Sequence, residues 1–190
     1  MSRDQQKQQT REVILQTAQR LFQEQGYEKV STRMISKEAK VAVGTLFSHF
    51  KDKQALTLAL FHDKVDARLA EHAAFLSQQT TGLGYFLTFA DFFYQFYQED
   101  RAFSVALMQN ALFDVSYFQQ QLEGFIQQVS DKLAVELPNK NNKQRYVIAK
   151  AWFGFYIFHL LTGLSSPTTT ARDWSSALRA DCQQLLTTIQ

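Results

Sequence analysis

The sequence predicts an all-α protein, on three observations. Only two Pro and seven Gly interrupt 190 residues, so long helices are permitted almost everywhere. Apolar residues recur at i, i+3, i+4 and i+7 along most of the chain. No stretch alternates apolar and polar residues as a half-buried strand does. The 45% apolar content suffices for a substantial core.

The pattern divides into about nine helices. The first, over 8–25, carries Val13, Ile14, Ala18, Leu21 and Phe22 and stops at Gly26. Ser31 caps a second, over 32–39, with Met34, Ile35 and Ala39 inward. A turn at 40–42 leads to a third, over 43–50. Asp52 caps a long fourth, over 53–77, bearing Leu56, Leu60, Phe61, Val65, Leu69 and Phe75. After the TTGLG break at 80–84 come helices over 84–98, 101–112 and 115–136. Loops PNKNNK and SSPTTT then bracket a nearly all-apolar helix over 143–163, and a last helix spans 171–189. Three short helices followed by six longer ones imply a head over 1–51 and a helical body over 52–190.

Charge is uneven along the chain. Residues 1–56 hold ten Lys/Arg against six Asp/Glu, a net of +4, so the remainder nets −2. A basic head on a near-neutral body suits nucleic acid. Cys182 stands alone, which excludes an internal disulfide and a Cys-based metal motif. There is no run of 18 apolar residues to span a membrane and no apolar leader in MSRDQQKQQTRE, so a cytoplasmic protein is expected. No Ser-His-Asp set, metal-ligand spacing or Gly-rich phosphate loop points to an enzyme, and no cofactor is implied.

Residues 40–53, KVAVGTLFSHFKDK, carry the sharpest signal. Val43, Leu46, Phe47 and Phe50 share one helical face, expected to pack inward. Gly44, Thr45 and Ser48 form a smooth opposite face, cheap to dehydrate, with Lys40, Lys51 and Lys53 flanking it. Two short helices joined by a turn have the proportions of a helix-turn-helix, whose second helix enters the major groove. A smooth face allows close approach to base edges, and the flanking lysines neutralise phosphates.

The run STRMISKEAKVAVGTLFSHFKDKQAL, residues 31–56, resembles the DNA-binding signature of the TetR (tetracycline-repressor-like) family. The likeness rests on the opening Ser31-Thr32, Ala39 before the turn, Val41, Gly44-Thr45-Leu46, His49-Phe50 and Lys51-x-Lys53. Leu21-Phe22 and Gly26-Tyr27 fit the same family's first helix. The signature covers about 47 residues, and the rest matches only in length and helical layout. The resemblance implies that Thr32 and Arg33 reach phosphate or base. It places Val43, Gly44 and Thr45 at the base-facing start of the recognition helix and His49 and Lys53 on phosphate. Phe47 stands where a phosphate-binding Tyr is usual, Lys40 where a turn Gly is usual, and Ala42 where a Ser cap is usual. Lys40 thus adds a charge where Phe47 lacks a hydroxyl.

In the body, eight of the thirteen residues in YFLTFADFFYQFY, 85–97, are aromatic. All but Tyr94 fall in an arc of roughly 140°. That arc is either a bulky core stripe or, in part, the lining of a cavity. TetR-like bodies bind a small effector, and on that resemblance Phe86, Phe89, Phe93, Phe96 and Tyr97 are candidate ligand contacts. Met108, Phe113, Tyr117 and Phe118 could close the pocket from one side, and Trp152, Phe155, Tyr156 and His159 from the other. No acid lies on the arc, so an apolar or flat aromatic effector fits better than a cationic one. The resemblance further implies a homodimer through a four-helix bundle, with Phe153 and Leu160 of helix 8 and Trp174, Leu178, Cys182 and Leu185 of helix 9 as candidate contacts. Coverage of those stripes within one chain is the other reading. The expected function is that of a homodimeric repressor, binding a pseudo-palindromic operator in double-stranded DNA and released by its effector. The alternative is a ligand-independent or activating regulator of the same fold.

Overall fold

A computed structural model of the chain describes the backbone of residues 2–111 and 116–189 and the side chains of residues 2–109 and 122–189. The described residues form α-helices and no strand. In chain order these are α1 (Arg3–Gln25), α2 (Thr32–Glu38), α3 (Val43–His49), α4 (Lys53–Gln78), α5 (Gly82–Glu99), α6 (Arg101–Ala111), α7 (Ser116–Lys132), α8 (Asn142–Ser165) and α9 (Ala171–Ile189). They divide into two compact units, one of Met1–Ala70 with Ala102–Phe113 and one of Glu71–Arg101 with Asp114–Gln190. The first unit thus takes in the N-terminal part of α4 and part of α6 as well as α1–α3. The reason is packing, since Leu56 and Leu60 of α4 and Phe103 of α6 belong to the same buried cluster as Ile14, Leu21 and Phe22 of α1.

In the first unit, α1 starts five residues earlier than its apolar stripe suggests. Ser2 and Gln5 form a capping box, Ser2 Oγ accepting from Gln5 N at 3.2 Å and Gln5 Oε1 from Ser2 N at 2.8 Å. The buried stripe is Ile14, Leu15, Ala18, Leu21 and Phe22, while Val13 lies exposed. Ser31 caps α2 through Met34 N, and Asp52 Oδ1 accepts from Ala55 N at 2.7 Å in the first turn of α4. Met34 itself faces outward, and only Ile35 and Ala39 of its expected trio are buried.

In the second unit α5 packs against α7, α8 and α9. That enclosure corrects two expectations. Tyr94, which the aromatic arc leaves outside, is fully buried, with its ring stacked on Tyr156 at 4.9 Å and its hydroxyl donating to the Tyr156 carbonyl at 2.9 Å. Phe75 near the end of α4 is exposed, while its neighbour Leu76 is buried. The start of α5 is held by Thr81 and by Glu136, whose carboxylate accepts from Gly82 N at 3.0 Å and Leu83 N at 2.8 Å.

The joint of α8 and α9 is built around Trp174. Its indole N–H donates to Thr169 Oγ1 at 2.9 Å, Tyr94 meets it edge-on, and the Arg101 guanidinium lies 5.3 Å from its ring. Arg101 also donates to the carbonyls of Ser166 and Thr169. The fourth side of the indole is the backbone of Gly163, where any Cβ would fall inside the ring's contact distance. With the ring fixed on its other sides, Gly163→Ala is expected to destabilise the protein by about 1–3 kcal/mol. Gly124→Ala in α7, where a Cβ meets open space, should instead be neutral or stabilising by about 0.5–1 kcal/mol. Urea unfolding of the two variants checks this opposition of sign.

Candidate nucleic-acid interface

The turn between α2 and α3 forms because two backbone bonds close it. Lys40 N donates to Lys37 O at 3.2 Å and Val41 N to Ser36 O at 3.0 Å, a Schellman arrangement. Its geometry demands a left-handed residue one past the cap, and Lys40 occupies that position with φ +55°. A Lys is strained where Gly would not be. Ala42 begins α3 with no side-chain cap, so only its carbonyl serves, accepting from Thr45 N at 2.9 Å and Leu46 N at 3.2 Å.

Only Leu46 and Phe50 anchor α3, both buried against α1. This corrects the expected inward face, because Val43 is 39% and Phe47 45% exposed. With Gly44 and Ser48 they make an outward surface free of formal charge. Ser48 Oγ donates back to Thr45 O at 2.7 Å, which leaves its oxygen as an acceptor. Thr32 and Thr45 are half-buried at the edge of this surface, and Arg33 and Lys40 are exposed beside it.

Two basic candidates behave differently from expectation. Lys53 turns inward, its Nζ donating to the Tyr27 carbonyl at 2.5 Å and lying 3.8 Å from the Tyr27 ring centroid. Partial burial pushes its pKa down, against the pull of Glu28. It is therefore a clamp between the α1–α2 loop and α4, already occupied within the chain. His49 is also held below the ordinary imidazole value, by burial first and then by the charges of Lys7 and Arg11. The helical placement of Lys7 is hidden in the sequence because the apolar stripe starts α1 only at residue 8. The S-x-x-Q pattern at Ser2–Gln5 is the signal that places its true start.

The body's candidates lie mostly in a closed aromatic core. Phe86, Phe93, Phe96, Tyr97, Trp152 and Tyr156 are buried, and Phe89 and Phe155 are half-buried. Phe89 sits 4.5 Å from Phe93 and 4.0 Å from Phe125, and Phe86 5.6 Å from Trp152, between ring centroids. Burial raises the pKa of Tyr97 and Tyr156, which hydrogen-bond each other. Met108 belongs to the first unit. Phe113, Tyr117 and Phe118 lie outside the described side chains. His159 pairs with Asp181 of α9 at 2.8 Å, away from the ring cluster's own contacts. An open groove of about 470 Å³ lies between α5 and α9, and polar side chains such as Asp91, Gln95, Gln98, Ser175 and Arg179 line it, none of them among the aromatic candidates.

Four of the expected dimer contacts are enclosed within one chain. Leu160, Trp174, Leu178 and Cys182 are all buried there, because the α9 stripe faces α5 and α8. Burial also pushes the Cys182 thiol pKa up. Phe153 and Leu185 stay half-buried, and the large apolar residues left exposed on α8 are Val147 and Phe158.

A capped α2, a closed turn and a short α3 with an uncharged outer face define a helix-turn-helix of the DNA-binding kind. Residues 14–60 match the family described as bacterial regulatory proteins, tetR family. Residues 14–60 thus carry the N-terminal DNA-binding domain of that family. An HTH-type transcriptional regulator of Staphylococcus aureus (strain USA300) is 39% identical over 56 residues, 30% of each chain. The chain thus spans under a third of the curated relatives it matches. The fold extends further. A TetR-family transcriptional regulator from Pectobacterium atrosepticum superposes with a TM-score of 0.73 at 18% identity, over 98% of this chain and 96% of that one. The transcriptional regulator FadR from Bacillus subtilis, in complex with stearoyl-CoA, does so with a TM-score of 0.71 at 14% identity, over 94% and 98%.

Two outcomes follow from the first unit. Lys40→Gly removes left-handed strain of about 1–2 kcal/mol and adds chain entropy to the unfolded state, so a net stabilisation of about 0.5–1 kcal/mol is expected in urea unfolding. His49 and His62 both have pKa values lowered from 6.5, chiefly by burial. The unfolded chain then takes up protons that the folded one refuses, so their contribution is complete above pH 6.5 and is lost as the pH falls below it. The thermal midpoint should be lower at pH 5 than at pH 7.5, and the His49→Gln/His62→Gln double variant should show a smaller drop.

Proposed function

We propose that this protein is a cytoplasmic, homodimeric transcriptional repressor that binds a pseudo-palindromic operator and is released by a small apolar or aromatic effector. The observation that carries the DNA-binding part is the outer face of α3. Val43, Gly44, Phe47 and Ser48 are exposed there without a formal charge, while the exposed Arg33 and Lys40 flank them. Such a surface loses little on dehydration against base edges and methyl groups, and its cationic margin suits phosphates. Thr32, Thr45 and His49 complete the candidate contacts. Lys40 adds one charge beside the position where Phe47 has no hydroxyl to offer phosphate.

The dimer is supported by the apolar residues that α8 leaves exposed, Val147 at 59% and Phe158 at 61%. A second copy on this face gives the two-fold symmetry that a palindrome mirrors. The effector is supported by the ring-rich interior around α5 and by a fold shared with a FadR that holds stearoyl-CoA. Helix α4 runs from one compact unit into the other, so it is one covalent route for a signal. An effector that favours one arrangement of that helix changes operator affinity, and operator changes effector affinity by the same factor.

A second reading has an observation of its own. The rings around Phe89 are in direct contact, so the interior serves as a filled core, and the body of a ligand-independent or activating regulator would serve only assembly. Selection of bound duplexes from a random pool tests the claim common to both readings. The expected result is a site with two inverted half-sites about one helical turn apart. Recovery of unrelated sequences with no inverted repeat sinks it.

A further inference from the structure

The first three turns of α1 do no work for the core. Every residue from Arg3 to Gln9 is exposed, Thr10 and Arg11 are half-buried, and burial begins only at Ile14. At 1.5 Å per residue the helix runs on for about 15 Å before it reaches the core. Isolated helical turns are marginal in water, so a projection of this length rests on its capping box and on continuity with the packed part.

Its basic residues are not scattered. Arg3, Lys7 and Arg11 follow at i, i+4 and i+8, which places them within an arc of about 80° on one edge of the helix. Asp4 and Glu12 project at roughly 100° and 180° from Arg3. The near end of the edge touches the α3 region. Arg11 lies 5.6 Å from the Phe50 ring centroid and 3.4 Å from Asp63. Lys7 and Arg11 act together on His49, the last residue of α3. The edge thus starts where the recognition helix ends and leads away from it. Asp63 already balances Arg11, which leaves Lys7 and Arg3 at the open end without an ion pair among the described residues.

We propose that the projecting edge of α1 is a further DNA-contacting surface, on which Arg3 and Lys7 engage backbone phosphates flanking the groove that α3 enters. The inference rests on the DNA-binding reading above and adds contacts outside the helix-turn-helix. Arg11, held by Asp63 and Phe50, orients the edge rather than binding. Phosphate is the fitting partner because the two cations are spaced along one line, and the glutamines around them (Gln5, Gln6, Gln8 and Gln9) present amide donors without opposing charge.

The test uses the full chain and a 30-base-pair duplex of random sequence, titrated by fluorescence anisotropy between 50 and 200 mM KCl. Each phosphate contact contributes about 0.9 to the slope of log K against log salt, so Arg3→Ala/Lys7→Ala should lower the slope by about 1.8. Across that salt range the loss of affinity then shrinks by about tenfold relative to wild type. Lys143→Ala, an exposed charge of the second unit, should leave the slope unchanged. Circular dichroism of the variants confirms that the exposed substitutions keep the helix content. A double variant with the wild-type slope overturns the inference while leaving the DNA-binding reading intact. An equal fall in Lys143→Ala overturns it too, as a general charge effect. A wild-type protein that does not bind the duplex overturns both.

Discussion

The burial of one leucine holds the recognition apparatus in place. Helix α3 has seven residues, far fewer than a helix needs to persist alone in water. Its N-terminus lacks a side-chain cap and its leading turn contains a strained Lys. What fixes it is Leu46, fully buried among residues of α1, α2 and α4, with Phe50 closing the same cluster. Everything exposed on α3 takes its direction from that anchor. The other devices of the first unit, the Schellman turn and the Lys53 clamp, set where the helix begins and how the head joins α4. They do not replace the anchor.

The sequence made the starts of α2 and α4 and the identity of that anchor legible, because caps and a 3.6-residue period are local properties. Ser31, Asp52 and the pair Leu46 and Phe50 stand where the pattern puts them. The limits came where a second body decides the outcome. Val43 and Phe47 share the period of Leu46, yet a two-turn helix at a surface has only enough neighbours to cover one residue per turn. Tyr94 falls outside the aromatic arc, but α5 is enclosed by three helices, so no outside remained at that position. Lys53 carries the right charge for phosphate. No sequence pattern announces that a carbonyl and a ring lie beside it.

The body shows the same division. A stripe such as Trp174, Leu178 and Cys182 declares that it must be covered, without declaring by whom. Here α5 and α8 of the same chain cover it, and the large apolar residues that α8 leaves exposed, Val147 and Phe158, lie away from that contact. Phe86, Phe89, Phe93, Trp152 and Tyr156 come together in one ring cluster of the second unit. Their ring-to-ring distances determine how much of that cluster is solid interior, and such distances are set by backbones converging from α5, α7 and α8. Polar positions on the far side of α5, Asp91, Gln95 and Gln98, meet α9 in an open groove that apolar periodicity does not mark.

The Lys53 clamp also bears on how the head moves. A lysine whose ammonium is lodged against the Tyr27 carbonyl and ring makes the first turn of α4 and the end of the α1–α2 loop a single mechanical piece. Bending at that junction would expose a half-buried charge to poorer company, whereas turning the whole assembly leaves every one of its contacts intact. The three-helix head and the first turns of α4 are therefore joined as one packed piece. The ammonium of Lys53 thus ties the place where α4 begins to the place where α2 is launched, so the two share one anchor.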